Sequence, residues 1–128
     1  MPYLLDTHIF LWMAAEPERL SSKVAAIVQD PQNALALSAA TAWEIALLNE
    51  LDRIELPDEP RRFIPEALQH FRVEPRPIGF QTTILAAMLP RHHRDPFDRI
   101  IIAEAMIDSM PILTSDKDFL DYAVQAIW

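Results

Sequence analysis

Residues 92–106, HHRDPFDRIIIAEAM, constrain the chain more tightly than any other stretch. Pro96 suits the first turn of a helix, where its missing N–H loses no partner and its φ is already helical. Asp95 before it is the natural N-cap. From Asp98 an apolar stripe continues at Ile101, Ile102, Ala105 and Met106, the spacing of a helix face turned toward a core. Asp98 therefore heads a face that must be buried. A carboxylate in that position is costly unless something pairs with it.

Three other acids occupy comparable places. YLL (3–5) reads as a short buried strand ending at Asp6, and Thr7 is positioned to cap the helix that follows until Pro17. ALALS (34–38) is a second strand, followed at once by the helix AATAWEIALLNEL, where Glu44 leads the apolar row Leu47, Leu48 and Leu51. PILTSD (111–116) is a late strand ending at Asp116, and VQAIW closes the chain. Between these, Ser21 or Ser22 caps a helix over 23–29, the prolines at 57, 60 and 65 mark a loop and a helix running to about 71, and 80–89 is helical. Two prolines in VEPRPI (73–78) confine that extended segment to a sheet edge. The central helix spans about 96–109. Strand and helix alternate throughout, which predicts a single α/β domain over 1–128 with a mainly parallel sheet.

In such sheets ligands bind outside the carboxyl ends of the strands, where the helices begin. Asp6, Glu44, Asp98 and Asp116 all fall at such junctions. Taken singly, an acid there is more often a helix cap or a dipole partner. Taken together they form the hard-oxygen set that Mg²⁺ or Mn²⁺ prefers, and without a cation four acids in one cleft repel one another. A metal held this way lowers the pKa of a bound water and hydrolyses a phosphodiester. Spacing alone leaves a non-catalytic α/β binding module, responsive to metal or phosphate, as an open alternative.

Composition narrows the classes further. The chain has 19 acids against 11 bases and a net charge of −8, which argues against a nucleic-acid binder resting on bulk electrostatics. The bases are gathered, however: Arg91, Arg94 and Arg99 surround the central stretch. With one glycine and no glycine-rich loop, Walker-type and dinucleotide-binding readings fall away. The absence of cysteine and of a long apolar run suits a cytoplasmic protein with no membrane segment. His92 and His93 lack any zinc spacing and read as a solvated basic loop. His8 reads as a helix-surface residue; Trp12, Trp43 and Phe97 read as packing residues, and the Met and Leu content of 84–89 as core or dimer face. Thr114, two residues before Asp116, is placed to hydrogen-bond a ligand carboxylate.

LLDTHIFLW, SAATAWEIA, HRDPFDRIIIAEA and ILTSDKDF, in this order over nearly the whole chain, resemble the PIN domain, specifically its bacterial VapC-type toxins. The resemblance implies a three-layer α/β/α fold around a parallel sheet and a Mg²⁺- or Mn²⁺-dependent ribonuclease. It also implies the toxin of a toxin–antitoxin pair, a homodimer whose cleft an antitoxin fills. Asp6, Glu44 and Asp98 fall on the family's three core acids and Asp116 on its fourth. Thr7 and Thr114 match positions that support the ligands, and Asp95 lies in the motif without touching the ion. Arg91, Arg94 and Arg99 are the expected contacts to the RNA backbone. Two positions depart from the pattern: Leu48 and Asp52 stand where related sequences often carry lysine and glycine.

Overall fold

Apolar residues run without a break along the short strands YLL and LAL, and since neighbouring side chains point to opposite faces, both faces of the sheet must be buried. The computed structural model describes residues 1–128, with strands β1 (Tyr3–Leu5), β2 (Leu35–Ser38), β3 (Val73–Arg76), β4 (Ile112–Leu113) and β5 (Ala126–Ile127). All pair in parallel, in the order β3-β2-β1-β4-β5. The helices are α1 (Thr7–Ala15), α2 (Ser22–Gln29), α3 (Ala39–Glu50), α4 (Pro60–His70), α5 (Phe80–Met88) and α6 (Pro96–Asp108). Leu4, Ala36 and Ile112 meet Ile101, Ile102 and Ala105 of α6 and Ala86 of α5. Leu5, Leu35, Leu37 and Leu113 point the other way, onto Ile9 and Phe10 of α1, Val24 of α2, Ile45 of α3 and Ile64 of α4. Each such buried side chain contributes roughly 1.5–3 kcal/mol. The result is the α/β three-layer architecture that the sequence predicts, with Pro75 in the edge strand β3. No helix is long and apolar enough to cross a membrane.

The winding decides where a ligand can sit. From β1 the chain steps outward to β2 and β3, then returns to add β4 and β5 on the opposite side of β1. The direction reverses between β1 and β4, and at such a switch point the two following loops diverge and leave a crevice. Asp6 immediately follows β1, and Thr114 and Asp116 follow β4.

Local chemistry sets the helix ends. Asp6, rather than Thr7, is the N-cap of α1, because its Oδ1 accepts the Thr7 N–H at 2.7 Å. Asp95 caps α6 by accepting from the N–H groups of Phe97 (2.9 Å) and Asp98 (3.4 Å). Three helices end in the left-handed region, at Asp52 (φ 56), Arg72 (φ 55) and Ser109 (φ 53). A chain with one glycine must ask ordinary residues to do this. After α3, Asp52 and Arg53 donate to the carbonyls of Asn49 and Leu48, so the aspartate closes the turn that a glycine would otherwise make.

Arg99 corrects an expectation. Its side chain does not face RNA but is 7% exposed, between α6 and the end of α5. Nε donates to Ala86 O (3.0 Å), Nη1 to Pro90 O (3.0 Å) and His93 O (3.3 Å), and Nη2 to Ala87 O (3.4 Å) and Leu89 O (2.8 Å). The guanidinium fork satisfies carbonyls that the helix end leaves open, and its charge suits the negative end of the α5 dipole. Replacing Arg99 with methionine is expected to lower unfolding free energy by about 3 kcal/mol, since buried acceptors lose their donors. A denaturation midpoint equal to wild type overturns this role.

Candidate metal centre

Four elements deliver acids to the crevice at the switch point. Asp6 comes from the end of β1, Glu44 from the second turn of α3, Asp98 from the first turn of α6, and Asp116 from the turn after β4. Asp6 is buried, while Glu44, Asp98 and Asp116 are half-buried.

Hydroxyls link these carboxylates into one chain of contacts. Thr7 Oγ1 donates to Glu44 Oε1 at 2.6 Å, while its backbone N–H serves Asp6 Oδ1. Thr41, fully buried on α3, lies 3.3 Å from the same Thr7 hydroxyl. Thr114 Oγ1 donates to Asp6 Oδ2 at 2.8 Å and accepts the Asp116 N–H at 3.0 Å. The two threonines thus sit on either side of Asp6, as the sequence places them, each holding one of its oxygens or a neighbouring acid.

His93 completes the chain, and here the structure departs from the expectation of a solvated loop. Its Nε2 lies 3.2 Å from Asp116 Oδ2 and 3.0 Å from Asp98 Oδ2, with the side chain 13% exposed. Nδ1 accepts the Asp95 N–H at 3.2 Å, and the ring meets Phe119 edge-on. The ligand atoms of His93, Asp98 and Asp116 all lie within 4.8 Å of one another. His92, by contrast, is exposed and leans on Tyr122. Nothing in the letters 92–94 distinguishes the two histidines, because a loop has no periodicity to tell which side chain turns inward.

The electrostatics follow from this crowding. Burial, and then the charges of Asp6, Asp95, Glu44 and Asp116, push the Asp98 carboxyl up to about 9. Burial also raises Asp6, against the hydrogen bond from Thr114, and raises Glu44, against the hydrogen bond from Thr7. None of the chain's ion pairs brings an arginine or lysine to these acids. Buried, mutually repelling carboxylates with no arginine or lysine among them, only the imidazole of His93 in contact and the charge of His8 nearby, fit a hard divalent cation.

The remaining expected residues divide. Arg91 and Arg94 are exposed on the loop beside His93, whereas Arg99 is committed to carbonyls as described above. Asp95 acts as a cap and stands next to the acids without joining the close group. His8 is exposed on α1 and stacks against Trp12. Trp43, expected to pack, is 60% exposed and touches Phe97 edge-to-face at 5.1 Å.

Comparison with known proteins agrees with this architecture. Residues 3–125 match the family model described as PIN domain. The chain is 30% identical over 117 residues to Ribonuclease VapC22 of Mycobacterium tuberculosis, covering 89% of this chain and 86% of that protein. Among solved structures it resembles a chain of VapBC2 from Rickettsia felis bound to a promoter DNA fragment, with TM-score 0.73, 15% identity and 99% and 98% of the two chains covered. A toxin–antitoxin complex from Klebsiella pneumoniae is similar at TM-score 0.66 and 22% identity, over 98% of this chain and 96% of that one. With its parallel sheet and its acids at the switch point, the chain belongs to the PIN-domain family, in the VapC-type ribonuclease branch.

Proposed function

We propose that the protein is a Mg²⁺- or Mn²⁺-dependent endoribonuclease, the toxin of a toxin–antitoxin pair. The observation that carries this reading is the burial of Asp98 among acids that repel it, a situation a divalent cation relieves. Asp6 and Asp98 would hold the ion directly, with Glu44 and Asp116 completing the site. When bound, the ion supplies an activated water and charge neutralisation at the scissile phosphate. Thr7 fixes Glu44 through Oε1, which leaves Oε2 free to accept a proton from the attacking water. Thr114 holds Asp6 while closing the turn that presents Asp116. Arg91 and Arg94, both exposed beside the acids, contact backbone phosphates of the RNA. A phosphate-responsive binding module would want a lysine beside the acids, and neither Lys23 nor Lys117 pairs with one of them.

Partners follow from the same reading. The similar toxin–antitoxin complex supports a cognate antitoxin as partner, and on this reading that antitoxin covers the cleft and the action is in the cytoplasm. A homodimer is supported by two apolar stripes on helices that both contact α6. One is Trp43, Leu47 and Leu51 on and just beyond α3; the other is Phe80, Ile84 and Met88 on α5, where Phe80 is 87% and Met88 75% exposed. Light scattering of a Phe80→Glu/Met88→Glu double variant is expected to report a monomer where wild type reports a dimer. A wild-type monomer at micromolar concentration overturns the dimer.

Cleavage of RNA is expected to require Mg²⁺ or Mn²⁺, to stop when the antitoxin is added, and to fall at least about a hundredfold in Asp6→Asn or Asp98→Asn. Full activity in either folded variant, or with excess EDTA, overturns the mechanism. The raised Asp98 carboxyl also sets a pH dependence. The folded protein keeps its proton up to about pH 9, whereas the unfolded chain releases it near 3.8, so rising pH between these values favours unfolding. Asp6, Glu44 and Glu104, the last pushed up to about 7 by burial, act with the same sign. In EDTA the Tm should therefore fall from pH 5 to pH 9, fall less steeply in Asp98→Asn, and recover with Mn²⁺. A wild-type profile that is flat, or that rises with pH, counts against this electrostatic picture.

A further inference from the structure

We propose that His93 is a positioning residue of the metal centre, donating its Nε2–H so that Asp116 is drawn against Asp98, and that it is not itself a ligand. The direction of the ring proton follows from the loop. Nδ1 accepts the Asp95 N–H, so in the neutral ring the proton sits on Nε2, and a protonated nitrogen has no lone pair for a metal. The loop is built to present this donor. Tyr122 Oη accepts the His93 N–H at 2.8 Å and donates to Pro90 O at 2.7 Å, Arg99 holds His93 O, and Phe119 walls the ring.

Asp116 needs such help. It sits on a short turn with a side chain 36% exposed, and its other oxygen is engaged by the Asp118 N–H at 2.9 Å. That bond leaves Oδ2 as the oxygen whose direction is still open, with solvent as its other partner. A hydrogen bond to one oxygen orients a metal-binding carboxylate in the way outer partners generally do. His93 supplies it from the one basic side chain in contact with the cluster, and so gathers the acids before any ion arrives.

This inference rests on the proposed metal site, and its test separates the two. Binding of Mn²⁺ alone, followed through the loss of the free-ion EPR signal, is expected to weaken about ten- to hundredfold in His93→Ala. His93→Gln, whose amide N–H can still donate, is expected to recover part of the loss. A melting curve in EDTA for each variant checks folding, and pulsed EPR of Mn²⁺ bound to wild type should show no directly coordinated imidazole nitrogen. In the metal-free protein, long-range ¹H–¹⁵N spectra should report the Nε2–H tautomer for His93. Undiminished Mn²⁺ affinity in a folded His93→Ala variant, direct nitrogen coupling, or the Nδ1–H tautomer each overturns the proposal. Should wild type bind no Mn²⁺, the nuclease reading and the metal-centre role fall together, while the tautomer spectrum still decides whether His93 is the fixed donor to Asp116.

Discussion

Repulsion among acids held at the switch point between β1 and β4 governs this molecule. A parallel sheet offers one place where neighbouring loops part, and the chain brings carboxylates there from four separate elements. Such a cluster is unfavourable unless each charge is tied down. The ties are short and mostly neutral: Thr7 between Asp6 and Glu44, Thr114 between Asp6 and Asp116, and His93 between Asp116 and Asp98. Neutral donors hold the acids in place without adding a positive charge to the site. An arginine among them would relieve the same repulsion that the proposed cation relieves.

Stability and function are therefore set against each other in a confined region. The two apolar layers, around Leu4 and Ile101 on one side and Leu5 and Phe10 on the other, are fully buried and free of such conflict. The strain is confined to the edge where the strands end, and the core supports it. Proteins commonly break a local rule at a functional site while keeping it elsewhere.

Much of this was legible in the letters. Short unbroken apolar runs mark YLL and ALAL as strands buried on both faces, and the 3.6-residue row from Asp98 to Met106 marks the face of α6. Asp6, Asp98 and Asp116 stand out as candidates because each sits at a strand end or helix start, whereas the row below Glu44 is exposed at Leu47 and Leu51. What stayed hidden depends on single long side chains and on loops. Arg99 belongs to the same helix as Asp98, yet its fork reaches sideways to α5, and no spacing tells a buried arginine from an exposed one. His93 is turned inward by Tyr122 and Asp95, partners that lie far from it in sequence or act through the backbone. Trp43 packs on Phe97, as an aromatic on a helix is expected to, yet leaves more than half of its surface in solvent on an apolar flank of α3. Asp52 itself takes the left-handed conformation that a glycine would favour, with φ 56.

The segment from Leu89 to Arg94 is fastened through its main chain: Pro90 and His93 offer carbonyls and an amide to Arg99 and Tyr122. Arg91 and Arg94 contribute nothing to that fastening and project into solvent. Mutational drift at these two sites is thereby uncoupled from folding. On the proposed reading, charge at the rim can change while the loop that carries His93 keeps its shape.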